Sequence, residues 1–459
     1  MVLSQDSDIR RGSSLVRRNA VLGTASAVIL LGAGTYLALD RAHARASVSA
    51  APAEAASASG VVHITFWNGH PSGELKKEMH ALVDEFNATH PHIHVTVIDK
   101  YAQIQPVTAA MTAGDAPNVI MPHLDAAQQF AADGYLVNLT PYIDGPQGFT
   151  KEQLASFFYP SVWNGRTIAP GKQYILPFEE NGHMVIFYNA ELFKKAGISS
   201  PPKTWQELGE DARKITALGG NIHGIAWTPS MEQFLTMVAD NGGKIWASSS
   251  ETRFALNNPQ AVATLAFLRH LVAQGDMILT QNYDYQLDFG TGNIGLLIES
   301  SAGWTYDVQS VGGKFPVKAS PAPAGTSGRA YNYVDGDSLA ILNTGSKAQQ
   351  DAAWTFIRWL ASPAENAQWD QAANYLPIGP AAQAQLKPYY ASHPDQAAAF
   401  TNPSTWLTDP AANATQYYAA LTAMQTDLLK ALNGQESPQQ AIANMNNVGN
   451  QYLSGERRS

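Results

Sequence analysis

The stretch "VVHITFWNGHPSGELKKEMHALVDEFNATHPHIHVTVID" (residues 61–99) decides the expected fold. Residues 61–68 form a β-rich run, and residues 93–99 form a second one. Between them, apolar side chains recur at the spacing of an amphipathic helix: Leu75, Met79, Leu82, Val83 and Phe86. A strand, a helix and a strand in this order predict a β-α-β unit, whose two strands are parallel.

The same alternation continues along the chain, apart from a loop-rich stretch over residues 140–173. We predict further strands at residues 116–122, 184–189, 224–228, 294–300 and 337–342. We predict helices at residues 102–113, 190–196, 259–274, 347–360, 415–432 and 438–453. This order favours an α/β architecture with substantially parallel sheets.

The segment "FYNAELFKKAGISSPPKTWQELGEDARKI" (residues 187–215) has strong start and stop signals but no obvious nucleophile or metal ligand. Gly197 is expected to end one helix, and Pro201 and Pro202 prevent its continuation. Thr204 and Glu207 have the spacing of a capping box that starts the next helix. The segment therefore predicts a rigid part of a scaffold rather than a reaction centre.

Composition limits the possible functions. The chain has 459 residues and 45% hydrophobic residues, enough for two large lobes or two to three domains. The net charge is +3 over residues 1–46 and −12 over the rest, which argues against a nucleic-acid partner. The chain has no Cys, so it can have neither disulfides nor thiolate metal sites.

The N-terminal segment predicts export from the cytoplasm. Arg17 and Arg18 precede an apolar run over residues 19–39, and an A-x-A cleavage candidate follows at residues 42–44. We interpret residues 1–46 as an export signal or an uncleaved anchor, and residues 47–60 as an Ala/Ser/Pro-rich linker. The Sec and twin-arginine routes both remain open. Only this segment is expected to contact the membrane.

Several motifs suggest enzymes, and each has a simpler interpretation. "GTGNIG" (residues 290–295) precedes a predicted strand, whereas a dinucleotide fingerprint precedes a helix. Glu179 and Glu180 could pair with Asp335 or Asp337 in a glycosidase, but the sequence does not set the distance between the carboxylates. We expect no enzyme activity, no metal and no cofactor, and keep an exported glycoside hydrolase as an alternative.

Aromatic and polar side chains near predicted strand ends indicate a binding site instead. Ligands of open α/β sheets bind at the carboxyl ends of the strands. Aromatic faces there suit sugar rings or cationic head groups. The aromatic candidates for such contacts are Trp67, Tyr101, Trp227, Trp304 and Tyr375.

These features together resemble the extracellular solute-binding proteins of ABC importers, family 1, which includes maltose- and glycerol-3-phosphate-binding proteins. The resemblance rests on residues 64–97 and on "AAMTAGDAPNVI", "LPFEENGHMVIFYNAELFKKAGISSPPKTWQEL", "NNPQAVATLAFLRHLVAQG", "WTFIRWLASPAENAQWDQAANYLPIGPAA" and "ESPQQAIANMNNVGNQYL". It implies the type II periplasmic-binding-protein fold, with two α/β lobes, a hinge and a ligand cleft between the lobes. The implied lobes are residues 61–177 plus 336–402, and residues 178–334 plus 403–455.

The resemblance also implies ligand contacts. Tyr101, Ser300 or Ser301, Gly336 and Tyr375 match contacts of the glycerol-3-phosphate binders. At three other positions the chain departs from that pattern. The acidic contact of those binders corresponds to Leu124, with Asp125 next to it. Their contact Ser corresponds to Asn181 or Gly182, and their phosphate-binding Arg corresponds to Leu421.

Without that Arg, phosphate recognition is less favoured than recognition of a neutral carbohydrate. Glu180 and Asp337 complete the candidate ligand contacts. The expected function is capture of a sugar or oligosaccharide outside the cytoplasm, by a monomer, and its delivery to an ABC permease. The alternatives are a glycerol-3-phosphate or glycerophosphodiester binder and a tethered sensor or adhesin.

Overall fold

The computed structural model describes residues 60–400 and 402–457. The predicted export signal (residues 1–46) and residues 47–59 of the predicted linker lie outside the described residues. The strands are β1 (Val62–Asn68), β2 (Ile93–Asp99), β3 (Val119–Ile120), β4 (Ile175–Pro177), β5 (Asn181–Gly182), β6 (Val185–Asn189), β7 (His223–Trp227), β8 (Met277–Leu279), β9 (Ile294–Glu299), β10 (Val317–Pro321), β11 (Asn332–Asp335), β12 (Ser338–Ile341) and β13 (Trp406–Leu407).

Helices surround these strands, and short 3₁₀ turns at Ser301–Gly303, Pro403–Thr405 and Ala411–Asn413 connect some of them. The α-helices are α1 (Gly73–Thr89), α2 (Ile104–Ala113), α3 (Leu124–Ala132), α4 (Thr140–Ile143), α5 (Lys151–Phe157), α6 (Pro160–Gly165), α7 (Ala190–Lys195), α8 (Trp205–Thr216), α9 (Met231–Asp240), α10 (Pro259–Gln274), α11 (Asp284–Gly290), α12 (Trp304–Val311), α13 (Lys347–Leu360), α14 (Pro363–Ala373), α15 (Pro380–Ser392), α16 (Pro394–Ala397), α17 (Ala414–Leu432) and α18 (Pro438–Leu453). Within the described residues, no helix combines the length and apolar character needed to span a membrane.

The first lobe is built on a five-stranded sheet with the order β2-β1-β3-β12-β4. The strands β1, β2 and β3 are parallel, as the β-α-β pattern predicts, and β12 and β4 add antiparallel pairs. Helix α1 buries Met79, Leu82, Val83 and Phe86. Four of the five apolar residues that define the predicted helical stripe therefore pack into the core.

The second lobe is built on a five-stranded sheet with the order β10-β6-β9-β7-β8. Its strands β9, β7 and β8 are parallel, with β8 at the edge, whereas β6 and β10 run antiparallel to their neighbours. Helices α8, α9, α10, α17 and α18 contribute buried apolar side chains to a core against this sheet. The two sheets confirm the expected pair of α/β lobes.

A small sheet with the order β13-β11-β5 lies where the chain passes between the two large sheets. The strand β11 pairs with β5 through Val334 and Gly182 and through Asp335 and Asn181. Just beyond it, Glu179 N donates a 3.1 Å hydrogen bond to Asp337 O. The chain crosses from one lobe to the other at Glu179 and β5, and again at β11 and Asp337, and these two crossings are hydrogen-bonded side by side. The predicted lobe boundaries at residues 177/178, 334–336 and 402/403 stay a proposal.

The segment over residues 187–215, which has strong start and stop signals for helices, folds largely as predicted. Asn189 caps α7, and Gly197 follows the helix with a positive φ of 72°. Thr204 caps α8 by accepting a hydrogen bond from Glu207 N at 3.1 Å. The return bond of the capping box is displaced by one residue, because Glu207 accepts from Lys203 N.

The stretch predicted to be loop-rich, residues 140–173, instead contains the three short helices α4, α5 and α6. Helix α5 has a complete capping box, in which Thr150 and Gln153 bond each other's backbone N–H groups. Helix α6 begins with Pro160 at its first turn. The residues of "GTGNIG" connect α11 to β9, as expected for a loop that enters a strand.

Candidate functional site

A cavity of about 770 Å³ opens between the two lobes. Its lining comes from loops after the carboxyl ends of parallel strands in both sheets, together with the crossing at β5. The lining residues are His70, Leu75, Tyr101, Asn181, His183, Thr228, Ser230, Gln233, Asn282, Tyr283, Tyr285, Gln286, Ile298, Glu299, Ser300, Ala302, Gly303, Tyr306 and Tyr375. This is where ligands of open α/β sheets are expected, and the volume is typical of small-molecule sites.

Tyrosines dominate the aromatic surface of this cleft: five line it, Tyr101, Tyr283, Tyr285, Tyr306 and Tyr375. Tyr101 is 53% exposed, Tyr283 is 72% exposed and Tyr306 is 44% exposed. Tyr101 follows β2 of the first lobe, and Tyr306 lies on α12 of the second lobe. Aromatic faces from both lobes are therefore available to one ligand.

Asn181 is fixed at the base of the cleft by bonds to both of its amide atoms. Its Nδ2 donates to Asp335 Oδ1 at 3.0 Å. Its Oδ1 accepts from Ser300 Oγ at 2.7 Å. The main-chain N–H of neighbouring Gly182 donates to Ser301 Oγ at 3.1 Å. These bonds hold the crossing at β5 against the end of β9, so polar groups here are pre-arranged.

Asp335 lies between two histidines below the cleft. His183 Nε2 is 2.6 Å from Asp335 Oδ1, and His123 Nε2 is 3.8 Å from Asp335 Oδ2. Burial acts against the charged form of each of these groups, but the ion pairs outweigh it. They hold the pKa of Asp335 well below its ordinary value, and they raise the pKa of His183 and of His123.

A second pair, His70 and Glu179, lies at the crossing that precedes β5. His70 Nε2 is 2.7 Å from Glu179 Oε1. Burial lowers the pKa of His70, but its attraction to Glu179 produces a net increase. Burial, followed by the nearby charge of Glu179, raises the pKa of Asp337 to about 7.

Arg166 and Glu180 form an ion pair behind the cleft. The Arg166 side chain is 1% exposed, the Glu180 side chain is fully buried, and Nη2 lies 2.7 Å from Oε1. Arg166 Nη2 also lies 3.5 Å from Gly336 O. The Arg166 Nε has no hydrogen-bond partner. The ion pair is therefore a single close contact. Because Arg166 contacts both Glu180 and Gly336, it connects the two crossings of the chain.

Four of the twelve predicted contacts line the cleft: Tyr101, Asn181, Ser300 and Tyr375. The other eight lie outside the lining. Glu180 is paired with Arg166 behind the cleft, and Asp125 is bonded to His123 at 3.1 Å. Ser301 is fully buried, and Gly336 and Asp337 lie at the crossing beside Glu179.

The structure places the three predicted tryptophans in packing roles. Trp227 is 1% exposed, and its indole N–H donates to Gln233 at 2.6 Å. Trp67 is 5% exposed and lies under the ammonium of Lys100, 4.0 Å from the ring centre. Trp304 packs edge-on against Phe187. Trp67 and Trp227 pack at the ends of β1 and β7, Trp304 packs at the start of α12, and none of the three lines the cleft.

Sequence reasoning missed several residues that line the cleft, notably Tyr283, Tyr285, Glu299 and Tyr306. Tyr283 and Tyr285 follow β8, and Glu299 is the last residue of β9. The available signal was an acid at the end of a buried strand for Glu299, and aromatic residues in the segment that follows a strand for Tyr283 and Tyr285. Among the described residues, no group of three or more His, Asp or Glu side chains could hold a metal ion.

The His183–Asp335 pair predicts a specific dependence of stability on pH. The raised pKa of His183 adds stability that is complete below its unfolded value of about 6.5 and is lost as pH rises through the folded value. The lowered pKa of Asp335 adds stability above about 3.8, which is lost as pH falls through its folded value. The pair therefore stabilises most between about pH 4 and 6.5.

We expect His183→Gln to lower the free energy of unfolding by about 1 kcal/mol at pH 6, because the pair is partly exposed. The difference between variant and parent should shrink as pH rises through the folded pKa of His183. Thermal unfolding from pH 5 to pH 9 measures this difference, with His92→Gln on the exposed surface as the control. A deficit that stays constant across this pH range would contradict the assignment.

The sequence is similar to those of known proteins. Residues 72–367 match the family model of the bacterial extracellular solute-binding proteins. The sn-glycerol-3-phosphate-binding periplasmic protein UgpB of Salmonella typhimurium is 26% identical over 86% of this chain and 93% of its own length.

Two solved structures are similar to the chain in fold. The cyclic α-maltosyl-1,6-maltose binding protein of Arthrobacter globiformis matches with a TM-score of 0.74 and 20% identity, covering 86% of this chain and 100% of its own. UgpB of Mycobacterium tuberculosis, solved with glycerophosphocholine, matches with a TM-score of 0.74 and 20% identity, covering 86% and 98%. These similarities confirm the predicted fold class.

Proposed function

The chain belongs to the bacterial extracellular solute-binding protein family, and we propose that it captures a carbohydrate in its cleft for an ABC importer. The family confirms the solute-binding role and the expected location outside the cytoplasm. The proposal adds the ligand class and the residues that contact it. It includes no catalytic step.

The composition of the cleft lining carries this proposal. Five tyrosines offer aromatic faces, and Asn, Gln, Ser and Thr side chains offer donors and acceptors for hydroxyl groups. No Lys or Arg is among the described residues that line the cleft. Sugar rings suit such a surface because they present apolar faces and many hydroxyls.

A glycerophosphodiester is the second candidate, supported by the similarity to UgpB proteins. The structure offers less to a phosphate. Leu421, to which the resemblance to glycerol-3-phosphate binders assigns the position of their phosphate-binding Arg, is 4% exposed and belongs to the core of the second lobe. Phosphate recognition normally uses Arg side chains or several N–H donors, so the carbohydrate is favoured.

Isothermal titration with maltose, cellobiose, longer glucans, glycerol 3-phosphate and glycerophosphocholine tests the proposal. We expect a saccharide to bind and the phosphate compounds to bind weakly or not at all. Tyr101→Ala and Tyr306→Ala should each weaken saccharide binding about three- to tenfold, because each removes one aromatic face. Tyr135→Ala, a tyrosine outside the cleft lining, is the matched control. Binding of the phosphate compounds alone would replace the proposal by the second candidate.

A further inference from the structure

Two acidic side chains at the second lobe's side of the cleft, Glu299 and Asp307, form no ion pair within the part of the chain that the structure describes. Glu299 ends β9, lines the cleft and is 7% exposed. Its Oε1 accepts from Ser300 N at 2.8 Å, and its carboxyl carbon lies against Gly303, where an added Cβ would be only 2.8 Å away. The carboxylate is therefore held in one place by the start of the following helical turn.

Asp307 lies one helical turn beyond Gly303, close enough for the charge of Glu299 to act on it. It is fully buried on α12, and neither of its carboxylate oxygens has a hydrogen-bond partner. A buried carboxylate without a partner is costly. Burial and the charge of Glu299 raise the pKa of Asp307 well above its ordinary value. Burial also raises the pKa of Glu299, to about 7.

The groups that face Glu299 do not neutralise this pair. Tyr285 on α11 and Ser300 N donate hydrogen bonds to Glu299, and Asp307 on α12 is a second carboxyl group rather than a cation. Among the residues that the structure describes, the positive charge that acts on Glu299 is that of His183, from the turn before β6, and His183 is already paired with Asp335 at 2.6 Å. The described lining of the cleft includes no Lys or Arg that could take this role.

We propose that the ligand carries an ammonium group, as in an amino-substituted carbohydrate, and that Glu299 is its counter-charge with Asp307 behind it. This inference rests on the proposed function and names its ligand class more narrowly. The five tyrosines of the cleft support it, because aromatic faces attract cations as well as sugar rings. A ligand ammonium supplies an unshared positive charge, which Glu299 does not receive from the described residues.

A choline-bearing phosphodiester would also present a cation to Glu299. It would bring a phosphate into the same cleft, beside Glu299 and without an Arg or Lys in the described lining. The amide side chains of Asn282 and Gln286 line the cleft and can bond the hydroxyls of an amino sugar, whereas a phosphate needs charged or clustered donors. The amino sugar is therefore the better fit.

Matched ligands that differ only in the amine test this inference. The probes are glucosamine and 6-amino-6-deoxyglucose against glucose, and deacetylated chitobiose against cellobiose and N,N′-diacetylchitobiose. Titration calorimetry at pH 7.5 should give at least about tenfold tighter binding to an amine than to its neutral counterpart, from one charge-assisted bond. At pH 5.5 the preference should shrink, because Glu299 then starts protonated in the free protein.

Variants identify which side chain is responsible for the preference for the amine. Glu299→Gln should remove the preference for the amine while neutral saccharides still bind. Glu299→Asp, which keeps the charge on a shorter side chain, should reduce the preference, and it provides the test if Glu299→Gln fails to fold, which circular dichroism reveals. Glu232→Gln is the matched control, since Glu232 lies near the cleft, bonded to Ser230, without lining it.

The outcomes separate this inference from the proposed function. Equal binding of amines and neutral saccharides, or an amine preference that survives Glu299→Gln, overturns the inference and leaves the carbohydrate proposal standing. Absence of amine binding overturns the inference, and absence of any saccharide binding overturns the carbohydrate proposal as well. Binding of glycerophosphocholine without any amino sugar assigns the cation to a phosphodiester and also overturns the inference.

Discussion

Replacing Arg166 with Met is expected to lower the free energy of unfolding by about 3–5 kcal/mol, because it leaves Glu180 buried without its partner. Both side chains are almost completely inaccessible, and Nη2 lies 2.7 Å from Oε1. Burial already raises the pKa of Glu180 to about 7, although Arg166 acts against this increase. Removing the guanidinium therefore leaves a carboxyl group that must either bind a proton or stay charged in the interior.

A double-mutant cycle separates the pair from its surroundings. We expect Arg166→Met combined with Glu180→Leu to recover much of the loss, since an apolar pair has no unpaired buried charge. Urea or thermal unfolding gives the four free energies. The exposed pair Lys77–Glu74, with side chains 72% and 66% exposed, is the control, and Lys77→Met should change stability by less than about 1 kcal/mol. A loss at Arg166 as small as this would show that the buried pair stabilises little.

The pair also connects stability to the cleft. Glu180 lies directly before Asn181, whose amide atoms bond Asp335 and Ser300 at the base of the cleft. Leu376 N donates a 2.6 Å hydrogen bond to Glu180 O. Because Leu376 directly follows the cleft residue Tyr375, this bond connects Tyr375 to the same crossing of the chain. A change at Arg166 is therefore expected to weaken ligand binding in addition to stability.

Elements with a strong period and clear caps could be predicted closely from the sequence. The helix expected at residues 259–274 is Pro259–Gln274 in the structure, begins with Asn258 as its cap and ends at Gly275 with a positive φ of 77°. The helix expected at residues 347–360 is Lys347–Leu360, with a capping box at Ser346. In both cases local signals and burial of one face favour the same ends.

The helices at residues 140–165 were missed because each is only one or two turns long. Four to seven residues are too few to show a helical period, so only their caps could reveal them. The spacing of Thr150 and Gln153 was such a signal, and Pro160 at the start of α6 was another. Short helices form here because the surrounding structure holds them, which a local pattern does not record.

The candidate site was harder to predict, because a position near a strand end does not determine which way a side chain points. Trp227 ends β7, yet its ring lies in the core and its indole bonds Gln233, a residue that itself lines the cleft. Glu299 ends β9 and faces the cleft. One residue more or less along a strand reverses the face, and packing of the two sheets decides which face borders the cleft.

Gly336→Ala is expected to lower the free energy of unfolding by about 2–4 kcal/mol and to weaken ligand binding. A Cβ at Gly336 would lie 2.1 Å from Glu179 O and 2.5 Å from Glu179 C. Both are main-chain atoms, so the crossings must separate, which strains the bond from Glu179 N to Asp337 O. That separation displaces Asn181 from the base of the cleft, and titration with the best ligand of the saccharide panel measures the lost affinity.

Gly165→Ala is the matched control for this variant. Its Cβ would lie 3.1 Å from the Cβ and Oγ1 atoms of Thr408, which belong to a side chain that can move, whereas the atoms at Gly336 belong to the main chain. We therefore expect Gly165→Ala to change stability by less than about 1 kcal/mol and to leave ligand affinity unchanged, because Gly165 ends α6 outside the cleft lining. If Gly336→Ala behaved like Gly165→Ala, the two crossings would have room to separate at low cost. The close contact between Gly336 and Glu179 would then not be what fixes the geometry of the cleft.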